Sequence, residues 1–200
     1  MNAGLPHTAT PDRPDLAKQL TDRVATADEY WARLIRLQLT DEQINMGHHV
    51  DHANAEILKR ITGDHGWPGH RLVGEDGATA AWLLALHADV QPDFQRDASH
   101  LMHQAAREGD ASLRQWAHLH DRCLLHLGRG QDYGTQYRVG TTGPEPQPVR
   151  DPSSLGERRV AVGLPTAASA LETLRRRLAA EPVPRVFRDG APPTDPSGPA

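Results

Sequence analysis

The chain has 200 residues, of which 38% are hydrophobic and 24% charged, a composition typical of one globular domain. Its formal net charge is −4, which argues against a general nucleic-acid binder, because such proteins carry a basic surface. The longest fully apolar run, residues 80–86, is far too short to span a bilayer, and no apolar signal segment follows Met1. We therefore expect neither nucleic acid nor a membrane as a partner, while the oligomeric state stays open.

Residue usage indicates the cellular setting. Cys123 is the single cysteine, so no internal disulfide can form, which favours a reducing cytoplasm. The basic residues are 20 arginines and only 2 lysines, a bias expected of a bacterial protein from a high-GC genome. The 12 histidines are an unusual number, and histidine is readily used as a ligand, a base or a pH switch.

Apolar periodicity predicts an all-α fold, a bundle of about six or seven helices. Thr40 and Gln43 match a capping box at the start of the second helix, and Ser112 is the predicted N-cap of the fifth. The Gly- and Pro-rich segment 128–152 is irregular and has room for a short β-hairpin. The helices are predicted at residues 15–39, 40–66, 75–90, 93–107, 112–127, 154–162 and 166–180.

The third helix is the predicted centre of the bundle. Its run 80–86 makes it apolar on nearly every side, as in a helix surrounded by other helices. We accordingly expect Trp82 and Leu83 to be almost fully buried.

Composition divides the chain into three parts. Residues 1–13 are polar and contain proline, which predicts a flexible N-terminal arm, and residues 14–181 form a single helical domain. Residues 182–200 are rich in proline and glycine and are expected to be disordered. Removing residues 1–12 and 182–200 is therefore expected to leave the fold intact.

One polar pocket is predicted, and His87 is its leading general acid or base. His87 points with an apolar helix face, and near the helix C-terminus the helix dipole favours the protonated imidazole. The alternative is a core histidine satisfied by a backbone carbonyl. The predicted pocket consists of His87, Asp121, Arg122, Tyr133 and Gln136.

Asp121 is the second catalytic candidate. It lies on or beside the buried stripe of its helix, and a buried carboxylate needs a partner. The partner is either Arg33 or the backbone amides of the turn 134–136. Asp121 then serves either in the site or as a purely structural tie.

The sequence Tyr-Gly-Thr-Gln at 133–136 is a dense polar turn. Gly134 permits a tight backbone path, while Tyr133 and Gln136 offer a phenol and an amide to a ligand. The turn is either a loop that orients a ligand or an ordinary turn packed on the bundle.

His48 and His52 are the weak alternative for a metal site. Their i,i+4 spacing can chelate a metal, but the glutamate of the zinc-protease motif is absent and no further ligand is evident. We therefore expect no stoichiometric metal and no cofactor.

Short blocks in the middle of the chain carry a resemblance to a known family. Each block is weak alone, but the ordered set is specific. They are residues 51–54 (DHAN), 66–68 (GWP), 72–77 (LVGEDG), 80–89 (AAWLLALHAD), 121–122 (DR), 128–136 (GRGQDYGTQ) and the motifs DP, RR and GLP within 151–165. Over about residues 15–165 the chain resembles the bacterial domain-of-unknown-function family 6624. The resemblance implies a shared fold and a shared polar site, without naming an activity.

The chain departs from the family pattern at two glutamines. Near the first helix, Glu29 and Arg33 keep a charged pair that the family tends to have, and Tyr30 replaces its glutamine. In the third helix, Leu86 replaces the glutamine that usually precedes the histidine. The resemblance implies that Glu29 and Arg33 are ligand-binding candidates. If the amides orient a ligand in relatives, this chain has a changed pocket or a lost activity.

The sequence leaves two classes of function open. The first is a protein that binds a small polar molecule and transforms it by acid–base chemistry. The second is a non-catalytic interaction or accessory protein whose polar residues only tie the turn to the bundle. An open pocket with unpaired polar atoms favours the first, and a fully hydrogen-bonded cluster favours the second.

Overall fold

A computed structural model describes residues 10–36, 38–140 and 143–180. In these residues the fold is mainly helical, with seven helices and one antiparallel hairpin, as predicted. The helices are α1 (Pro14–Ile35), α2 (Asp41–His65), α3 (His70–Leu86), α4 (Pro92–Arg107), α5 (Leu113–His126), α6 (Leu155–Ala161) and α7 (Ala167–Ala180). The strands are β1 (Tyr137–Gly140) and β2 (Gly143–Pro146).

The helix starts follow local capping chemistry. Gln43 N–H donates to Thr40 Oγ1 (3.3 Å) and Thr40 N–H donates to Gln43 Oε1 (3.1 Å), so the predicted capping box of α2 is confirmed. Ser112 is the N-cap of α5, where it accepts from Gln115 N–H, also as predicted. Each cap satisfies backbone amides that the helix itself leaves without a partner.

Helix α3 is the centre of the bundle, in contact with α1, α2, α4 and α5. Its contact faces are mainly alanine, including Ala81 and Ala85, and these small side chains let the neighbouring helices approach closely. Leu84 is the buried leucine of this segment, whereas Trp82 and Leu83 are only partly buried at the edge of the core. The expectation that both would be almost fully buried is therefore wrong.

Helix α3 is also shifted toward the N-terminus relative to the prediction. It begins at His70 and crosses a kink at Gly74, whose φ of 73° is a left-handed conformation that glycine adopts without strain. It ends at Leu86 instead of residue 90, and residues 87–91 form a short connection to α4, which begins at Pro92. His87 therefore caps α3, and Asp89 lies beyond the helix, where it reaches α5.

The ends of the chain are described in part. Asp12 N–H and Arg13 N–H donate to the carbonyls of Arg71 and Leu72 at 3.1 and 2.8 Å, so this piece of the predicted arm bonds to α3. The rest of the arm, residues 1–9, and the tail predicted at 182–200 lie outside the described residues. Among the described helices, none combines the length and apolarity that crossing a bilayer requires.

Candidate functional site

Asp121 is fully buried on α5 and holds the polar turn against the helix. It accepts backbone N–H bonds from Asp132 (2.8 Å), Tyr133 (3.0 Å) and Thr135 (3.0 Å), and a fourth bond from Thr135 Oγ1 (2.9 Å). The partner of this carboxylate is thus the backbone of residues 132–135 and not Arg33, and of the predicted amides 134–136 only that of Thr135 takes part. We call Asp121 and these donors the Asp121 anchor.

A buried arginine holds the same turn from the other side. Arg159, 2% exposed on α6, donates to the carbonyls of Tyr133 and Gly134, and to Pro165 O at 2.6 Å. The turn is therefore clamped by an anion at its amides and a cation at its carbonyls. Sequence reasoning gave Arg159 no role of its own, although it lies in one of the family-like blocks.

Arg122, the next residue on α5, is engaged in an ion pair. Its Nε–H donates to Asp89 Oδ1 at 2.9 Å, Nη2–H donates to Asp89 Oδ2, and Nη1–H contacts Gln136 Oε1 at 3.4 Å. Burial would raise the pKa of Asp89, but the hydrogen bonds and charge of Arg122 outweigh burial and lower it. The side chains of the pair remain 34% and 36% exposed, so solvent reaches both.

His87 stacks on an aromatic ring. Its imidazole lies parallel to the Trp31 indole, with ring centroids 4.0 Å apart and planes 8° apart. Burial, followed by the charge of Arg122, lowers the pKa of His87 to about 4. Burial and Arg122 therefore keep His87 neutral at neutral pH, whereas its place near the helix C-terminus predicts a preference for the protonated imidazole. No carbonyl among the described residues bonds to its ring nitrogens.

Asp51 on α2 is the functional candidate that sequence reasoning missed. It is 7% exposed, and its Oδ1 accepts the Trp31 Nε1–H at 2.9 Å. Burial, helped by the charge of Asp89, raises the pKa of Asp51 to about 6. Within the described part of the chain, Oδ2 has no hydrogen-bond donor. The signal that could have found Asp51 is its place at the head of the block 51–54.

Tyr30 completes this group. Its ring packs against Gly47, where an added Cβ would come within 1.9 Å of the phenol, so only glycine admits the ring. The Tyr30 hydroxyl is buried, and the described residues offer it no hydrogen-bond partner. Burial and the charges of Asp51 and Asp89 raise its pKa. We call Tyr30, Trp31, Asp51 and His87 the Asp51–His87 cluster.

The structure separates the other predicted site residues. The Tyr133 ring lies edge-on to Trp116 and to His120, with ring centroids 5.8 and 6.0 Å away. Glu29 is exposed on α1, and Arg33 contacts Gln38 O (3.4 Å) and Gln43 Oε1 (3.3 Å). Of the predicted pocket residues, Arg122 and Gln136 are thus in contact, and the charge of Arg122 lowers the pKa of His87. Asp121 faces the turn instead.

Metal and thiol chemistry find little support in the geometry. His48 and His52 are both exposed, and His52 Nδ1 lies 3.0 Å from Gln91 Nε2. In residues 10–36, 38–140 and 143–180, no three His, Cys, Asp or Glu side chains converge as a metal site would require. Burial raises the pKa of the Cys123 thiol to about 11, which keeps it protonated and unreactive.

Comparison with known proteins places this site in a family. A family model described as a family of unknown function, DUF6624, matches residues 34–179. The chain belongs to DUF6624. The match takes in Asp51, His87 and the Asp121 anchor, whereas Tyr30 and Trp31 precede it. No curated protein and no solved structure matches the chain. The resemblance inferred from the ordered blocks is confirmed.

Proposed function

We propose that this DUF6624 protein binds a small polar molecule at the Asp51–His87 cluster and exchanges a proton with it through Asp51. The observation that carries the proposal is the double role of Trp31. Its indole face stacks on His87 while its N–H bonds to Asp51, so one rigid ring positions two titratable groups. Both groups keep polar atoms that no described residue engages.

The protonation states suit acid–base chemistry. A carboxyl with a pKa of about 6 can accept or donate a proton near neutral pH, where an ordinary aspartate is always ionised. His87 is neutral there and supplies one donor and one acceptor nitrogen. Tyr30 adds a hydroxyl whose hydrogen-bonding capacity is unused. A bound polar molecule would recover about 1–3 kcal/mol for each such buried group.

Charge indicates the class of ligand. Asp89 is balanced by Arg122, so ionised Asp51 leaves the cluster with a net negative charge. This favours a neutral or cationic molecule, such as a small alcohol or amine, over an anion. Arg122 is a positioning residue in this proposal, because its guanidinium lowers the pKa of His87 and fixes Asp89.

The remaining predicted residues receive supporting roles. Asp121 positions the turn, and Gln136 extends from the turn to Arg122, so neither is proposed to touch the ligand. Tyr133 and Arg33 lie in other contacts and Glu29 is exposed on α1, so none of the three is given a part in the reaction. A cytoplasmic location, inferred from the single cysteine, belongs to the same proposal.

A second candidate function is an accessory protein without catalysis. The observation that favours it is the complete hydrogen bonding of the Asp121 anchor, which is what a structural tie requires. In that case the turn and hairpin would form a rigid surface for another protein.

A binding screen distinguishes the two candidates. Small alcohols, amines and amides are tested by thermal shift on the wild type, on Asp51→Asn and on His87→Gln. Asp97→Asn, an exposed aspartate on α4, serves as the matched control. We expect some compounds to stabilise the wild type and Asp97→Asn but neither cluster variant. Binding that survives both cluster substitutions, or no binding by any compound, contradicts the proposal.

Turnover separates an enzyme from a binding protein. Any compound that binds is followed for chemical change as a function of pH. We expect the rate to change with pH around pH 6, where the Asp51 carboxyl titrates. This pH dependence should disappear in Asp51→Asn. Binding without any chemical change would leave the accessory function as the better account.

A further inference from the structure

A second site lies along the seam between α1 and α2, outside the Asp51–His87 cluster. A groove of about 480 Å³ runs there, lined by Val50 and Ala53 on its apolar side and by Gln19 and Thr26 on its polar side. Its volume falls in the range of roughly 300–1,000 Å³ that small-molecule sites occupy. Shape alone assigns no ligand, but the chemistry of two further lining residues does.

Arg23 is a cation without an anion. Its Nη1–H donates to Asn54 Oδ1 at 3.0 Å, while its Nε is buried and meets no acceptor. Among the described residues no carboxylate forms an ion pair with it, in contrast to Arg122, which is held by Asp89. The one acidic residue that lines the groove, Asp22, is bonded to Lys18 at 2.6 Å.

Asn54 presents the second unused donor. The residue is 3% exposed, its oxygen is occupied by Arg23, and its Nδ2 is buried without an acceptor in the described chain. Buried donors in folded proteins nearly always have partners, so two neighbouring buried donors that no described residue engages are informative. Both atoms are hydrogen-bond donors, and neither has an acceptor among the described residues. A group that engages them must therefore supply hydrogen-bond acceptors, as carboxylate oxygens do.

We propose that this groove binds a small carboxylate that carries a short apolar tail. The carboxylate would accept from the Arg23 guanidinium and the Asn54 amide, a charge-assisted geometry that arginine favours. The tail would lie on Val50 and Ala53. Both donors are buried in the unliganded protein, so this proposal requires the long, partly buried Arg23 side chain to rotate and expose them to the groove. A single arginine and an apolar wall suit a carboxylate better than a doubly charged phosphate.

The test observes the proposed contact directly. The Arg23 Nε–H gives its own signal in a ¹H–¹⁵N spectrum of the full chain, and it is followed during titration with acetate, butyrate and hexanoate. We expect a saturable shift of that signal and of the Asn54 side-chain amide, with affinity rising along the series. Sodium chloride at equal ionic strength and butylamine should leave both signals in place. Equal shifts with chloride, or no shift with butyrate, overturn the proposal.

Three variants locate the binding. Arg23→Met should weaken butyrate binding by about tenfold or more, because it removes the charged donor. Val50→Trp should weaken it similarly by filling the groove, and since Val50 is 37% exposed we expect the fold to tolerate this change. Arg60→Met, which removes an exposed arginine from α2, should leave butyrate binding unchanged. Should Arg23→Met fail to fold, Val50→Trp decides, and undiminished binding in that variant refutes the site.

Discussion

Two buried aspartates on helices, Asp51 and Asp121, differ in how many hydrogen bonds their carboxylates accept. Asp121 receives three backbone N–H bonds and one hydroxyl bond, so its carboxylate is saturated. Asp51 receives a single bond, from the Trp31 indole, and burial raises its pKa to about 6. The same residue type in similar burial thus serves as a structural tie in one region and remains chemically responsive in the other.

The difference comes from what each carboxylate faces. Asp121 faces a turn, whose backbone amides are not used by any helix or strand and converge on one point. Asp51 faces α1, whose backbone amides are already bonded within the helix, so only a side chain can reach it. A carboxylate packed against a helix is therefore left under-satisfied unless side chains or a ligand complete it.

The largest expected effect concerns the saturated aspartate. Asp121→Asn places amide hydrogens against backbone N–H donors, and we expect a loss of about 3–5 kcal/mol in the free energy of unfolding. Urea denaturation measures the loss, and hydrogen exchange at Tyr133 and Thr135 shows whether the turn opens first. Asp97→Asn, at an exposed position on α4, is the control, and we expect its free energy of unfolding to stay close to that of the wild type. A loss below about 1 kcal/mol would show that the anchor is dispensable.

The next effect tests the responsive aspartate by pH. The pKa of Asp51 is raised from 3.8 to about 6 in the folded state, so its stabilising contribution is complete below pH 4 and is lost as the pH rises through 6. Relative to the wild type, Asp51→Asn should therefore gain up to about 3 kcal/mol between pH 4 and 6 or slightly above. Thermal unfolding of both proteins across this range measures the difference.

His87 supplies the matched measurement of opposite sign. The pKa of His87 is lowered from 6.5 to about 4, so its contribution is complete above pH 6.5 and is lost as the pH falls through 4. Relative to the wild type, His87→Gln should lose stability as the pH rises over the same range. Parallel curves for both variants would contradict the assignment of these two groups.

A smaller effect is expected at the ion pair beside the cluster. Arg122 and Asp89 are each about one-third exposed, so a double-mutant cycle with Arg122→Met and Asp89→Leu should give a coupling of about 1 kcal/mol. The pair also sets the electrostatics of the cluster, so Arg122→Met should raise the pKa of His87, as followed by NMR titration. If the His87 titration is unchanged in Arg122→Met, the ion pair does not influence the pKa of His87.

The smallest effect is expected at the termini. Deleting residues 1–9 and 182–200 should change the melting temperature little, as their composition predicts. Extending the N-terminal deletion through residue 13 removes the N–H bonds of Asp12 and Arg13 to α3, and should cost about 1–2 kcal/mol more. Equal stability of the two truncated proteins would mean that these bonds contribute nothing.

Much of the fold could be predicted because its signals are local. The capping box at Thr40, the N-cap at Ser112 and the apolar period of the helices depend on residues within one or two turns of each other. The apolar pattern extends α3 too far, since the chain leaves the helix at His87 and Asp89 lies in the connection to α4. Trp82 is less buried than its apolar surroundings predict, because the neighbouring helices pack against the alanine faces of α3.

The same distinction between local patterns and tertiary packing applies to the candidate site. By itself the sequence determined the helical class, the family blocks and the candidates His87, Asp121 and Arg122, since these follow from short patterns. Only the tertiary structure decided that Trp31 joins His87 to Asp51 across three helices. The pKa values of both groups depend on burial and on charges distant in the chain, and no local pattern encodes either.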